Sequence, residues 1–378
     1  TIYTLGEPDC FSKKDLGPHP QAKSLTKPLK WGSLDSMELL RQALEEGTRH
    51  HRLKSAAAAV VSPEGVTWQH HLNCDSRSIW DWGSITKLLC AITLLQLRDR
   101  GMVRLEDRAS RYIPALSRFG EGITLQRLLS HTSGLQSAST PEPHVQGTPW
   151  PLWPEIEAGI PRLRIESSPG TNYLYSNLGL LLIGRIVELL TRDSWESHVT
   201  KNILMPLGMN ETYFDQTPYH LVSRHIESVS ATGTPFGIDV DHGDTTCNGG
   251  LKSSLADMSN LAAFLAGAES HILSRATLEE MMQPRFETGD GRRVGLAFHL
   301  ESHAGRTLTG HNGSSLGFRA GLWIDPPRRH TLLVVSGTES AKPLLTDMCQ
   351  AFAGLRESDL PNAPREGPWP PSAGHGSL

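Results

Sequence analysis

Ser84-Ile85-Thr86-Lys87 sets a hydroxyl and an amine three residues apart. The pair follows Trp80-Asp81-Trp82-Gly83 and opens an apolar stretch, Leu88-Leu89-Cys90-Ala91-Ile92 and onward. Read as a helix, this stretch holds Ser84 in its first turn and Lys87 one turn later on the same face. The first N–H groups of a helix lack internal partners, and the helix dipole favours negative charge there. A hydroxyl at that place is helped to lose its proton. The neighbouring amine can take the proton if desolvation keeps it neutral. That is the chemistry of a nucleophile and its base. Elsewhere the same two residues are commonly a cap and a solvated charge, so the pattern needs company.

Three further segments supply candidates. Asn172-Tyr173-Leu174-Tyr175-Ser176-Asn177 precedes a long apolar helix. Tyr175 can carry a proton where cations lower its pKa, and Asn177 can hydrogen-bond a substrate amide or Lys87. A helix cap with a packed tyrosine accounts for the same residues. Gly310-His311-Asn312-Gly313-Ser314-Ser315 lies between expected strands. Small residues such as Gly313 let a substrate backbone approach, and the Ser314 N–H could join that of Ser84 as an oxyanion hole. His311 could donate to a substrate carboxylate or to the tyrosine. A glycine-rich hairpin turn is the plainer account. In Leu129-Ser130-His131-Thr132-Ser133-Gly134-Leu135, His131 reads as structural, part of a helix-ending turn held by hydroxyls.

Regular elements must position these residues. A helix is expected over about Asp35–His50, capped by Ser33 or Asp35, with Met37, Leu40, Ala43 and Leu44 on one face. Ser55–Val61 and Val66–Leu72 form a hairpin about the turn Ser62-Pro63-Glu64-Gly65. The Ser84 helix runs toward Gly101, and Thr124 caps a short helix over Leu125–Ser130. Residues 137–164, rich in proline, read as a long irregular loop. Helices are expected over Asn177–Thr191, Trp195–Leu204, Asp257–Ala268, Thr277–Met282 and Lys342–Leu355. Val294–Leu300, Thr307–Thr309, Arg319–Ile324 and Thr331–Val335 read as strands.

The bulk numbers remove some function classes. The 378 residues can bury a large core, and 20% charged with 38% apolar residues is ordinary for a globular chain. A net charge of −4 gives no basic field for nucleic acid. No apolar run approaches the ~18 residues of a membrane helix. Five scattered cysteines show no metal spacing and no disulfide framework, a single bridge staying open, and Cys90 reads as core. The seventeen histidines, with His50-His51 and His70-His71 adjacent, form no metal-ligand pattern. No metal or other cofactor is implied. The chain opens at Thr1, consistent with a leader removed or trimmed, and none is visible.

Taken in order, the segments resemble the serine β-lactamase-like superfamily of class C type, which includes class C β-lactamases, DD-peptidases, family VIII carboxylesterases and D-aminopeptidases. Ser84-Ile85-Thr86-Lys87 is similar to its S-x-x-K motif, and Tyr175-Ser176-Asn177, after Pro169-Gly170-Thr171, to its Y-x-N motif. Leu128–Leu135, Pro206-Leu207-Gly208-Met209 and Gly249-Gly250-Leu251 match recurring segments, and His311-Asn312-Gly313 stands where K-T-G or H-x-G belongs. The resemblance covers about residues 35–355.

The resemblance implies an α/β (α+β) fold: an antiparallel sheet flanked by N- and C-terminal helices, with an inserted all-helical domain. The expected divisions are an extended arm over 1–30, a sheet domain over 31–72 plus 270–357, a helical domain over 73–269 carrying Ser84 and Tyr175, and a flexible tail over 358–378. It implies catalysis by Ser84, Lys87 and Tyr175, with Asn177, His311, Gly313 and Ser314 at the substrate and oxyanion. A secreted or periplasmic setting follows by the same resemblance. The departure is His311, close to neutral at pH 7, where a lysine would hold a substrate carboxylate. That shifts the expectation from efficient β-lactam hydrolysis toward a serine acyl hydrolase or acyl transferase acting on a small ester or amide. The alternatives are a D-specific peptidase or weak β-lactamase and, in another class, a catalytically idle member of the fold that binds a ligand or serves as a scaffold.

Overall fold

The computed structural model describes residues 36–138, 140, 149–214, 216–237, 239 and 241–360. The expected arm over 1–30, the caps Ser33 and Asp35, Cys10, and the tail from 361 lie outside the described residues. In chain order the helices are α1 (Ser36–His50), α2 (Thr86–Asp99), α3 (Leu125–Leu129), α4 (Trp153–Gly159), α5 (Asn177–Thr191), α6 (Trp195–Val199), α7 (Leu255–Leu265), α8 (Arg275–Met282) and α9 (Lys342–Gly354). The strands are β1 (Ala56–Ser62), β2 (Gly65–Leu72), β3 (Ile79–Asp81), β4 (Lys252–Ser254), β5 (Phe286–Glu287), β6 (Arg293–Val294), β7 (His299–His303), β8 (Arg306–Ser315), β9 (Phe318–Asp325) and β10 (His330–Ser336).

Eight strands make one antiparallel sheet in the order β2-β1-β10-β9-β8-β7-β6-β5. Alternation along each strand sorts its side chains into two cores. Ala56, Ala58 and Val60 of β1, with Leu332 and Val334 of β10, face α1 and α9, where Leu40, Leu44, Leu344, Met348 and Phe352 are buried. Ala57, Ala59 and Val61, with Leu333 and Val335, face the other way into the larger core shared with α2, α5 and α7. The alanines suit this strand because helices press on both its faces. Helix α7 covers that second face, and the Thr331 hydroxyl of β10 donates to the Ala262 carbonyl.

This is the antiparallel sheet flanked by terminal helices that the resemblance implied. The first hairpin, α5 and α9 fall close to their expected limits. Three segments differ. Val294–Leu300 is not one strand, because Gly295 N–H turns back to the Phe298 carbonyl and Ala297 takes φ 60°. Residues 137–164 are not irregular throughout, since α4 lies within them. The Glu155 carboxylate accepts from Leu152 N–H, and Trp153 and Ile156 bury one turn apart. The stretch 310–315 is not a turn but the end of β8, paired residue by residue with β9 from Gly310↔Trp323 to Ser315↔Phe318. Strand pairing overrides the turn preference of its two glycines. No described helix is long and apolar enough to cross a membrane.

Candidate active site

Ser84 lies in a single 3-10 turn, Gly83–Ile85, that runs straight into α2. Four hydrogen bonds fix this turn. The Thr86 hydroxyl donates to Gly83 O at 2.6 Å and accepts from Leu251 N–H at 3.0 Å. Trp82 N–H donates to Leu251 O at 2.9 Å, and its indole N–H donates to Ser253 O at 3.0 Å. Gly83 holds φ 50°, which an L side chain rarely adopts. The Ser84 turn is therefore stitched to Leu251 and Ser253 from the far end of the helical block.

The Ser84 hydroxyl oxygen lies 2.8 Å from Lys87 Nζ and 2.9 Å from the Tyr175 phenol oxygen. Lys87 is fully buried, and its Nζ also donates to the Asn248 carbonyl. Its Nζ stands 5.1 Å from the centre of the Tyr175 ring. Tyr175 precedes α5, whose cap is Ser176: that hydroxyl accepts from Gly179 N–H at 3.1 Å and donates to Gln136 O at 2.8 Å. Asn177 is the half-buried first residue of α5, two residues beyond the tyrosine. A hydroxyl held between an amine and a phenol has two groups able to take its proton.

The sheet supplies the other wall. Strand β7 pairs with β8 only as far as His299↔Gly310, so residues 311–315 keep a strand partner on the β9 side alone. This stretch packs against the Ser84 turn. A Cβ on Gly313 would fall 2.0 Å from Trp82 O, and one on Gly83 would fall 2.7 Å from Ser314 N. Only glycine at both places lets the two backbones approach. The Ser315 hydroxyl donates to the Asp81 carboxylate at 3.2 Å and ties the end of β8 to β3.

Around Tyr175 sits a group of rings. His131 stacks on it at 4.4 Å between centres, His311 lies at 6.0 Å, and His299 stacks on His311 at 4.7 Å. The Tyr173 hydroxyl is 2.9 Å from His299 Nε2. Burial pushes all three imidazoles down: His299 to about 4, and His131 and His311 well below their ordinary value. Lys87, whenever it carries a proton, works in the same direction at each. His311 Nδ1 lies 2.6 Å from its neighbour's carbonyl, Asn312 O. A carbonyl only accepts, so the ring proton is on Nδ1, and the buried Nε2 carries a lone pair. The free edge of His311 is thus an acceptor, not the donor that its sequence context suggested.

A family model described as Beta-lactamase matches residues 40–347, a span that takes in every residue of this site. The chain belongs to the Beta-lactamase family. Within it, the chain is 28% identical over 277 residues to Beta-lactamase-like protein 2 of Dictyostelium discoideum, covering 67% of this chain and 50% of that protein. The chain spans about half the length of that relative. A class C beta-lactamase shares the fold at TM-score 0.74 with 15% identity, covering 85% of this chain and 96% of that one. A D-stereospecific amidohydrolase from Streptomyces sp. does so at TM-score 0.71 with 21% identity, covering 85% and 99%.

For this Beta-lactamase family chain, the structure brings Ser84, Lys87 and Tyr175 within hydrogen-bond reach and sets Gly313 and Ser314 against the same turn. Sequence reasoning missed Asn248, Tyr173 and His299. Asn248 acts through its carbonyl, which no side-chain pattern reveals, although Gly249-Gly250-Leu251 marked the segment. Cys90 is core, as read.

Proposed function

We propose that this protein is a serine acyl hydrolase or acyl transferase that works through an acyl-enzyme on Ser84 and takes a small ester or amide. The observation that carries the reading is the Ser84 hydroxyl, 2.8 Å from a fully buried lysine amine and 2.9 Å from a tyrosine hydroxyl. In this reading Ser84 Oγ attacks the substrate carbonyl carbon while its proton passes to the Lys87–Tyr175 pair. The oxygen anion that forms is held by the N–H groups of Ser84 and Ser314. The carbonyl then re-forms, and the alcohol or amine leaves with the proton from the pair. Water, or a second alcohol or amine, attacks the acyl group and gives its proton to the same pair, which returns it to Ser84 Oγ as the acyl–oxygen bond breaks. Asn177 orients the substrate or Lys87. The helical block over 73–269 brings the nucleophile and its proton partners, and the sheet domain over 31–72 plus 270–357 brings His311, Gly313 and Ser314.

The neutral His311 supports substrates without a carboxylate at that place, because it offers no fixed cation. A D-specific amidase reading is the nearest rival, supported by the shared fold with a D-stereospecific amidohydrolase. The test is intact-mass detection of an acyl adduct after exposure to p-nitrophenyl acetate and butyrate, a chromogenic cephalosporin and D-Ala-D-Ala peptides. The expected result is an ester-derived adduct and ester turnover, both absent in Ser84→Ala. Adducts from D-Ala-D-Ala peptides alone would favour the rival. Equal, slow rates in wild type and Ser84→Ala with no adduct would leave a catalytically idle ligand-binding or scaffold protein.

A further inference from the structure

His131 makes three contacts with three consecutive residues. Its carbonyl accepts from Leu174 N–H at 2.8 Å. Its ring stacks on Tyr175, 4.4 Å between centres and 28° between planes. Its Nδ1 accepts from Ser176 N–H at 3.1 Å. The tyrosine that reaches Ser84 is therefore clasped before, on and after its own residue by one histidine. An N–H group donates into Nδ1, so the imidazole is neutral with its proton on Nε2. Burial and the neighbouring His299 and Lys87 favour that same neutral form.

The backbone is bent to allow this. His131 holds φ 56°, a left-handed conformation that is uncommon outside glycine and persists where the surroundings enforce it. The turn is tied down on both sides. The Ser130 and Thr132 hydroxyls are 2.9 Å apart, Gly170 N–H donates to Thr132 O, and Ala297 N–H donates to Leu129 O. A helix-ending turn needs no imidazole to close. The ring at this place serves the tyrosine.

We propose that His131 is a positioning residue, whose Nδ1 and ring fix the Tyr175 hydroxyl on the Ser84 oxygen. The inference rests on the reading of Tyr175 as a proton carrier, and the test separates the two. The full chain is assayed with p-nitrophenyl butyrate. His131→Ala is expected to lower kcat by about 10–100-fold and leave KM within about threefold, since a hydroxyl misplaced by about 1 Å costs the transition state rather than binding. His131→Asn should recover most of the loss, because Asn tolerates left-handed backbone and its side-chain oxygen stands near the place of Nδ1. His131→Phe keeps a ring but no acceptor and should stay as low as the alanine variant. In a Tyr175→Phe background, His131→Ala should cost less than about twofold more, because the group it positions is already gone.

An equal further loss in that background, or kcat of His131→Ala within twofold of wild type, would overturn the inference. So would recovery by Phe and not by Asn. If His131→Ala fails to fold, the Asn and Phe variants carry the same comparison. Tyr175→Phe at the wild-type rate would remove the proton-carrier reading itself, and this inference with it.

Discussion

At the scale of single residues, the arrangement turns on how Lys87 is held. Its amine has no exposure, and the Asn248 carbonyl and the Ser84 oxygen fix its direction. If Lys87 shares the proton of Ser84, Lys87→Ala should lower the rate of Ser84 acylation by about 10²–10⁴-fold with the fold kept. Lys87→Met, which fills the same space, should lose as much. Time-resolved intact mass with p-nitrophenyl butyrate measures it, and a loss under tenfold removes Lys87 from the chemistry. Ser84, Lys87 and Tyr175 were legible in the sequence as a candidate group because a hydroxyl, an amine and a phenol are reactive side chains and local spacing marks them. Asn248 was not, because its contribution is a carbonyl oxygen that every residue has. His299 was not, because it reaches Tyr173 and His311 only through the pairing of β7 with β8. His131 was read as a turn residue. The turn is there, but its ring contact comes from a segment more than forty residues away in the chain.

At the scale of elements, the decisive contact is between the end of β8 and the turn at the head of α2. Sequence pattern gave the two strands on either side but read Gly310–Ser315 as a break, since two glycines and an Asn favour a turn. What keeps this stretch extended is its full register with β9, a long-range pairing that local propensity does not contain. The glycine at 313 then answers a packing demand: the Trp82 carbonyl lies where its Cβ would be. Gly313→Ala must push β8 away from residues 82–84, and a backbone carbonyl cannot step aside as a flexible side chain would. Overpacking of this kind costs about 1–3 kcal/mol. The same displacement moves Ser314 N–H from Ser84, so ester turnover should fall at least tenfold, beyond what the loss of folded protein explains. Gly289→Ala is the control, because nothing lies within 4 Å of its added Cβ and it holds no positive φ. Urea melts and p-nitrophenyl butyrate rates on both variants decide it. An alanine at 313 with wild-type turnover would mean that the strand and the turn are not held in register by this contact.

At the scale of the whole molecule, the central strands β1, β9 and β10 are buried on both faces, and the site lies where the β7–β8 side of the sheet meets the helical block. That junction buries His131 and His311 and half-buries His299, imidazoles that are ordinarily solvated, and the cost appears in the pH dependence of folding. His299 is held near 4 by burial, against about 6.5 in an unfolded chain. Below about pH 6.5 the unfolded chain takes up a proton at this residue and the folded chain does not. The stabilisation is therefore complete above pH 6.5 and is lost as pH falls toward 4. Each pH step of one is worth about 1.4 kcal/mol per group, so His299 alone removes about 3 kcal/mol across that window. His131 and His311 are shifted in the same direction and steepen the fall. Urea melts at pH 7.0, 5.5 and 4.5 should show stability dropping at each step. His299→Gln, whose side-chain amide can still meet the Tyr173 hydroxyl but does not titrate, should drop less. It would be the weaker protein at pH 7 by the packing it loses, and the gap to wild type should narrow with acid. A wild-type stability flat from pH 7 to 4.5, or a gap that widens, would mean that His299 is solvated and charged in the folded protein, and that the ring cluster around Tyr175 stands open to water.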